Sequence, residues 1–351
     1  MLPEVALLRV VAQRLAGPQS ATPAEAVDWM TCVQAQDFAG ALTSVALRTT
    51  GRSRAAVIDA LDAGEIVRSW PMRGTLHFTP AADLPWLLRL LAPRNLRATI
   101  ARRAGLGLSE PQFDRARELT VAALEGGRAL SRVALFQWWT ENGLDPAGQR
   151  GVHLLRYLAM TGLVVLGPTA GTEQLVVLLD EWIPRPRTLA GDEALGELAR
   201  RYFASHGPAP APDLTHWAKL TAGETRTAIA LARPALGVLH VAGTEYFLDP
   251  ATPDLLAAAR AEAAGVLLLP GFDELLLGHR DRSAQLDPAH AEKIVPGGNG
   301  MFRPTVVQAG RVIGTWTRTR RAAGPQLAAT AFTEFTPAVD AALARAFDAL
   351  P

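Results

Sequence analysis

Cysteine is nearly missing from this chain: Cys32 is the only one. A single thiol excludes an intrachain disulfide and any multi-cysteine zinc or iron–sulfur centre, and it fits a reducing cytoplasm. The signatures of several enzyme classes are missing too. The H-x-E…C-x-x-C pattern of zinc deaminases cannot form with one cysteine, and neither a G-x-S-x-G elbow nor a paired metal-ligand motif occurs. The glycines of PGGNG (residues 296–300) are no phosphate-binding loop, because they lack G-x-x-x-x-G-K-[ST] and a strand-to-helix context. No metal and no cofactor is expected. The opening stretch, MLPEVALLRVVAQRLAG, is interrupted by Glu4, Arg9 and Arg14. It reads as an amphipathic helix, neither a signal peptide nor a membrane span. The expectation is a cytoplasmic protein without membrane contact.

What is present is enough for a large core. With 351 residues, 49% hydrophobic and 20% charged, the chain has material for two or three domains. Its net charge is only +1, but the distribution matters more than the sum. Residues 84–109 hold Arg89, Arg94, Arg97, Arg102 and Arg103 and no acid. Residues 294–333 hold Arg303, Arg311, Arg318, Arg320 and Arg321, again without an acid. Acids gather elsewhere, at Asp180 and Glu181 and at Asp192, Glu193 and Glu197. Each arginine stretch is either a solvated face or a phosphate-binding surface.

One order of elements recurs three times: helices, a strand, a tight turn, a second strand. The first copy runs through VDWMTCV, FAGALTSVALR and SRAAVIDALDAG into EIVRSWPMRGTLHFTP. The second has SRVALFQWWTENG, GQRGVHLLRYLAMTG, LVVLG, the turn PTAGTE and QLVVLLD. The third has DLTHWAKL, GETRTAIALARPA, LGVLHV, AGTE and YFLDP. Helix-turn-helix followed by a hairpin with glycine at its turn is the winged-helix plan. The last part changes character: PTVVQAG, RVIGTWTRT and QLAATAF read as antiparallel strands, with a turn at Ala309-Gly310, before the closing helix PAVDAALARAFDA. The expected fold is α+β, mainly α, with winged-helix units at 1–108, 109–187 and 188–252 and a β-rich domain at 253–351. Trp138, Trp139 and Trp217 sit on helical faces and read as core rather than base-stacking platforms.

The segment WMTCVQAQDFAGALTSVALRT carries the most specific signal. From Phe38 the apolar residues Phe38, Ala41, Leu42, Val45 and Ala46 recur at helical spacing. Asp37 stands where a carboxylate caps the first free amides. Gln34-Ala35-Gln36 therefore lies at a junction between two helices. In a locally extended turn, Gln34 and Gln36 share a face; on a continuous helix they would not.

On these residues the chain resembles the winged-helix DNA glycosylases of azinomycin self-resistance and bacterial crosslink repair. The resemblance runs over nearly the full length: Gln34-Ala35-Gln36, SWPMRGTLHFTP, LLLPGFDELLLGHRDRS and PGGNGMFRPTVVQAGRVIGTW. It implies tandem winged helices forming a concave DNA-binding body, a smaller β-rich domain, and excision of N7-alkylated purines. Gln-apolar-Gln is that family's catalytic signature, which makes Gln34 and Gln36 the catalytic pair of a monofunctional, cofactor-independent enzyme. The implied partner is double-stranded DNA carrying alkylated purines, with no obligate protein partner.

The chemistry suits amides. An N7-alkylguanine is already cationic, so it leaves as a neutral base and needs no strong acid; the enzyme must place a water near C1′ and shield an oxocarbenium-like sugar. Glutamine accepts from water and donates to phosphate or sugar. Asp37 has two competing roles, helix cap or cation-facing carboxylate. His77, in the matching GTLHFTP run, is either a histidine satisfied within a strand or one that helps hold the backbone or the catalytic turn. Arg73, Arg94, Arg97, Asn299, Arg303 and Arg318 are the DNA-binding candidates, whereas His279, Arg280 and Arg282 read as a surface loop. The PGGNGMF stretch is either a groove-probing element or a plain connector. A non-enzymatic winged-helix DNA-binding protein is the rival reading, although helices such as HLLRYLAM and TRTAIALA offer few base-reading side chains. A crosslinked guanine cannot swing out of the duplex, so the enzyme reading also requires an open site.

Overall fold

The computed structural model describes residues 2–171, 173–321 and 324–351, with Arg320 and Arg321 described by their backbone alone. Thr172, in the expected PTAGTE turn, and the side chains of Arg320 and Arg321 lie outside the described residues. The chain forms two compact units, one of Met1–Val57 with Leu195–Pro351 and one of Ile58–Ala194.

Helix and strand are mixed, and the described chain is about half helical. Each of the three repeated stretches folds as helices leading into an antiparallel hairpin. The helices Pro23–Met30, Phe38–Ala46 and Arg54–Asp62 precede the pair Ile66–Ser69 and His77–Pro80. Glu110–Leu124, Arg132–Glu141 and Arg150–Met160 precede Val164–Ala170 and Glu173–Leu178. Gly191–His206, Ala211–Ala218 and Ala222–Ala232 precede Gly237–Val241 and Thr244–Leu248.

Local chemistry sets these boundaries. Thr22 caps Pro23–Met30 by accepting from Glu25 N, with Pro23 at the first helical position, where its missing N–H does no harm. Thr221 and Glu224 form a reciprocal capping box at Ala222–Ala232. Tight hairpins need two residues at positive φ, and Ala242-Gly243 (+47° and +78°) and Ala309-Gly310 (+48° and +73°) supply them. A Cβ at Gly310 would lie 2.6 Å from the Ala6 backbone, so the turn also needs the missing side chain in order to pack.

In the unit Ile58–Ala194, the first two hairpins join edge to edge through Arg68 and Leu166. The strand order is His77–Pro80, Ile66–Ser69, Val164–Ala170, Glu173–Leu178. Trp139 is fully buried among Leu135, Leu154 and Leu158, and its indole donates to Thr120 Oγ1 at 3.1 Å. Trp138 packs against the same core and donates to Leu119 O, so both tryptophans are packing residues, as expected.

In the other unit a four-stranded antiparallel sheet runs Gly324–Ala331, Arg311–Arg321, Thr305–Gln308, Val266–Leu269, and Pro337–Asp348 closes the chain. The fourth strand, Val266–Leu269, lies inside the apolar run VLLLPGFDELLLG, where no alternation marks it. The first helix, Leu2–Ala12, packs Leu7, Leu8, Val10 and Val11 into one core with Leu256, Leu269, Leu275 and Val307. This helix is not amphipathic, as its charges suggested. Arg9 is fully buried, donating to Pro208 O at 2.9 Å and Gln285 Oε1 at 2.7 Å and pairing with Asp213 at 3.4 Å.

Candidate active site

Gln34-Ala35-Gln36 sits at the junction expected of it. Pro23–Met30 ends at Thr31, whose φ of +65° is an outlier for a β-branched residue, a backbone strain of about 1–3 kcal/mol. The chain then runs extended through Val33–Gln34 and bends into Phe38–Ala46. Ala35 is fully buried, Gln34 half-buried and Gln36 exposed. That alternation puts both glutamines on the side opposite Ala35. Asp37 is the cap: its Oδ1 accepts from Gly40 N at 3.1 Å. The position a Cβ would take at Gly40 is 2.6 Å from Asp37 Oδ2, so glycine there makes room for the cap.

Gln34 Oε1 is buried without a hydrogen-bond partner among the described residues. An unsatisfied buried acceptor costs about 1–3 kcal/mol, and such a group calls for an explanation.

Residues far along the chain hold the turn in place. Glu274, fully buried, accepts from the Gln34 backbone N at 3.3 Å and from Trp217 Nε1 at 3.1 Å. Its own carbonyl accepts from Gln13 Nε2 at 3.1 Å. Asp273 grips the helix that follows the turn: Arg48 binds it through both terminal nitrogens at 2.9 Å, and Ser44 Oγ donates to it at 2.5 Å. Gln13 Oε1 accepts from Arg48 Nη2 at 2.7 Å, while Arg48 Nε is buried without a partner among the described residues. Both terminal nitrogens of the buried guanidinium thus have acceptors, which offsets part of its desolvation. The segment ahead of Asp273 approaches closely as well. Gly271 O lies 3.5 Å from where a Cβ would stand at Gly40, and a Cβ at Gly271 would lie 2.6 Å from Phe302 O. QAQDFAG, LPGFDELLLG and GNGMFRP thus converge in one place. None of the anchoring roles of Glu274, Asp273 and Gln13 was visible in the sequence, since their partners lie up to 261 positions away.

The LGHRDRS stretch differs from its expected form as a surface loop. His279 is fully buried, with Nε2 2.9 Å from His206 O. Burial first, then the charges of Arg9 and His206, hold its pKa well below the ordinary 6.5. It is a neutral structural residue. Arg280 is exposed as expected, while Arg282 is half-buried over the Phe302 ring.

Asn299 and Arg303 flank exposed Met301: Asn299 Oδ1 accepts from Met301 N at 2.8 Å, and Arg303 reaches back to Lys293 O. Arg318, exposed on its strand, lies 5.4 Å over the Phe347 ring.

In the unit Ile58–Ala194, His77 is fully buried at the start of its strand. Its Nδ1 donates to Thr75 O at 2.9 Å, which leaves Nε2 to accept from Arg73 Nη2 at 3.1 Å. Arg73 and Gly74 both have positive φ, and Arg156 Nη2 occupies the place of a Gly74 side chain. Arg94 donates to Leu90 O, while Arg97 is exposed. Among the described residues, no group of three or more histidines, cysteines or carboxylates is placed to hold a metal.

A family model for AlkZ-like DNA glycosylases matches residues 27–351. The chain is similar to an interstrand DNA cross-link repair glycosylase of Streptomyces sahachiroi, 28% identical over 300 residues that span 81% of this chain and 79% of the relative. Its structure is similar to that of the Streptomyces sahachiroi DNA glycosylase AlkZ, with a TM-score of 0.81 and 24% identity over 99% of this chain and 95% of the other; at that identity the likeness concerns fold alone. The family match defines the class, a DNA glycosylase hydrolysing an N-glycosidic bond. The chain belongs to the AlkZ-like DNA glycosylase family.

Proposed function

We propose that the protein excises bulky N7-alkylguanines from duplex DNA, with Gln34 and Gln36 placing the attacking water. The carrying observation is the Gln34 carbonyl oxygen, a buried acceptor without a donor among the described residues, at the head of a firmly anchored turn. In the reaction the bond between C1′ and the base nitrogen breaks, and its electron pair neutralises the cationic purine. The water oxygen bonds C1′ and releases its proton to solvent, because an amide is too weak a base to keep it. Glutamines therefore contribute orientation and dipoles, which suffices only for an activated leaving group. The crosslink repair named for the Streptomyces sahachiroi relative extends this reading to unhooking of crosslinked guanines.

DNA would be held by three tandem winged helices at 1–108, 109–187 and 188–252 and a C-terminal domain at 253–351. Arg73, kept in place by His77, Arg94 and exposed Arg97 supply phosphate contacts from one unit; Asn299, Arg303 and Arg318 supply them from the other. Asp37 supports the site as the cap of the helix behind the turn.

Gln34→Ala and Gln36→Ala should each slow release of N7-methylguanine at least a hundredfold under single-turnover conditions, with lesion-duplex affinity within a few-fold of the parent. A double variant should be little slower than either single, since both side chains hold one water. Equal losses of binding and turnover would make these residues part of the DNA-contact surface and refute the assignment.

A further inference from the structure

The carboxylate behind the catalytic turn is unusual in chemistry as well as place. Glu274 has no exposure, and each of its oxygens accepts from a donor: the Gln34 peptide N–H at 3.3 Å on Oε1 and the Trp217 indole at 3.1 Å on Oε2; His206 Nε2 lies 3.4 Å from Oε2. Both oxygens thus act as acceptors, one for the catalytic turn and one for the indole. A buried carboxylate is a poor choice for stability alone, because a well-packed apolar side chain commonly does as well. Its use here ties a charge to the one peptide that carries Gln34. His206 and Trp217 in turn pack against Tyr202, so the carboxylate is itself held rigidly, with ring centroids 4.8 and 5.0 Å away.

We propose that Glu274 is a positioning residue for base excision, which fixes the Gln34 peptide and acts on the reaction only through that glutamine. The inference rests on the role given to Gln34. Neighbouring Asp273 anchors the helix that follows the turn, through Arg48 and Ser44, and so fixes the turn's other end. Glu274 contacts the turn itself, at the Gln34 peptide N–H.

A double-mutant cycle tests this. Glu274→Gln keeps the shape but accepts at one oxygen only, so it cannot serve Gln34 and Trp217 together. Single-turnover release of N7-methylguanine from a duplex is measured for the parent, Glu274→Gln, Gln34→Ala and the double variant, alongside lesion-duplex affinity. Glu274→Gln is expected to slow release at least tenfold, with affinity within threefold, and to cause no further slowing in the Gln34→Ala background. Where Glu274→Gln does not fold, Trp217→Phe reads the same coupling by removing the indole donor together with some ring volume, with a loss of about threefold in the parent and none beside Gln34→Ala. An unchanged rate, multiplicative losses, or parallel losses of affinity and rate would overturn the positioning role. Absence of release by the parent, or an unaffected Gln34→Ala, would overturn this inference together with the proposed function; multiplicative losses would overturn this one alone.

Discussion

Arg9 and His279 carry ionisable groups into the core, and each has been fitted there by specific partners rather than by neutral packing. Arg9 is buried only because Pro208 O, Gln285 and Asp213 meet its guanidinium. His279 is buried as the neutral imidazole. Its folded pKa is depressed below the ordinary 6.5, chiefly by burial, with Arg9 and His206 adding to the effect. At pH above 6.5 neither folded nor unfolded chain protonates it, and its full contribution to stability is present. As pH falls below 6.5 the unfolded chain takes up a proton that the folded chain refuses, so that contribution is lost towards the lower folded pKa. Melting temperatures measured from pH 7.5 to 5 should therefore fall less steeply for His279→Gln than for the parent. Parallel curves would contradict the neutral, buried assignment.

Elements in this fold start and stop where their local chemistry says, and the Gln-Ala-Gln junction is one such boundary. Asp37 caps Phe38–Ala46 through Gly40 N, which leaves Gln34 at the end of the short strand and Gln36 in the bend before the helix. Replacing a cap with alanine costs about 0.5–2 kcal/mol, whereas serine retains the interaction. Asp37→Ser should keep both stability and excision within threefold, and Asp37→Ala should lose stability by that amount. A stable Asp37→Ser protein that excises tenfold more slowly would instead put the carboxylate at the sugar. The cap, the helical stripe after it, the three hairpins and the Ala309-Gly310 turn were all legible in the sequence, because each is written within a few neighbouring residues. The anchoring of the turn was not. LPGFDELLLG looks like an apolar run with two acids, and nothing local says that Glu274 reaches Gln34, 240 positions earlier. His279 was misread for the same reason: LGHRDRS is as polar as a surface loop, and only the arrival of His206 and Arg9 makes its first half core.

Across the molecule, the proposed roles of the Gln34-Ala35-Gln36 turn and of the two arginine stretches answer different demands. Residues 84–109 fall within Ile58–Ala194 and residues 294–333 within the other unit, so each compact unit brings its own acid-free basic stretch to a chain of nearly balanced charge. On the proposed reading these stretches address phosphate and carry no chemical selectivity. Selectivity, on this account, comes from the leaving group: two amides can assist departure of a purine that is already cationic and can do little for one that is not. The direct measurement compares two duplexes under single-turnover conditions, one with N7-benzylguanine and one with the isosteric, uncharged 7-benzyl-7-deazaguanine. Release of the first base with none of the second, at similar affinity for both duplexes, is the predicted result. Comparable release of both, or release of neither by a protein that binds both, would contradict it.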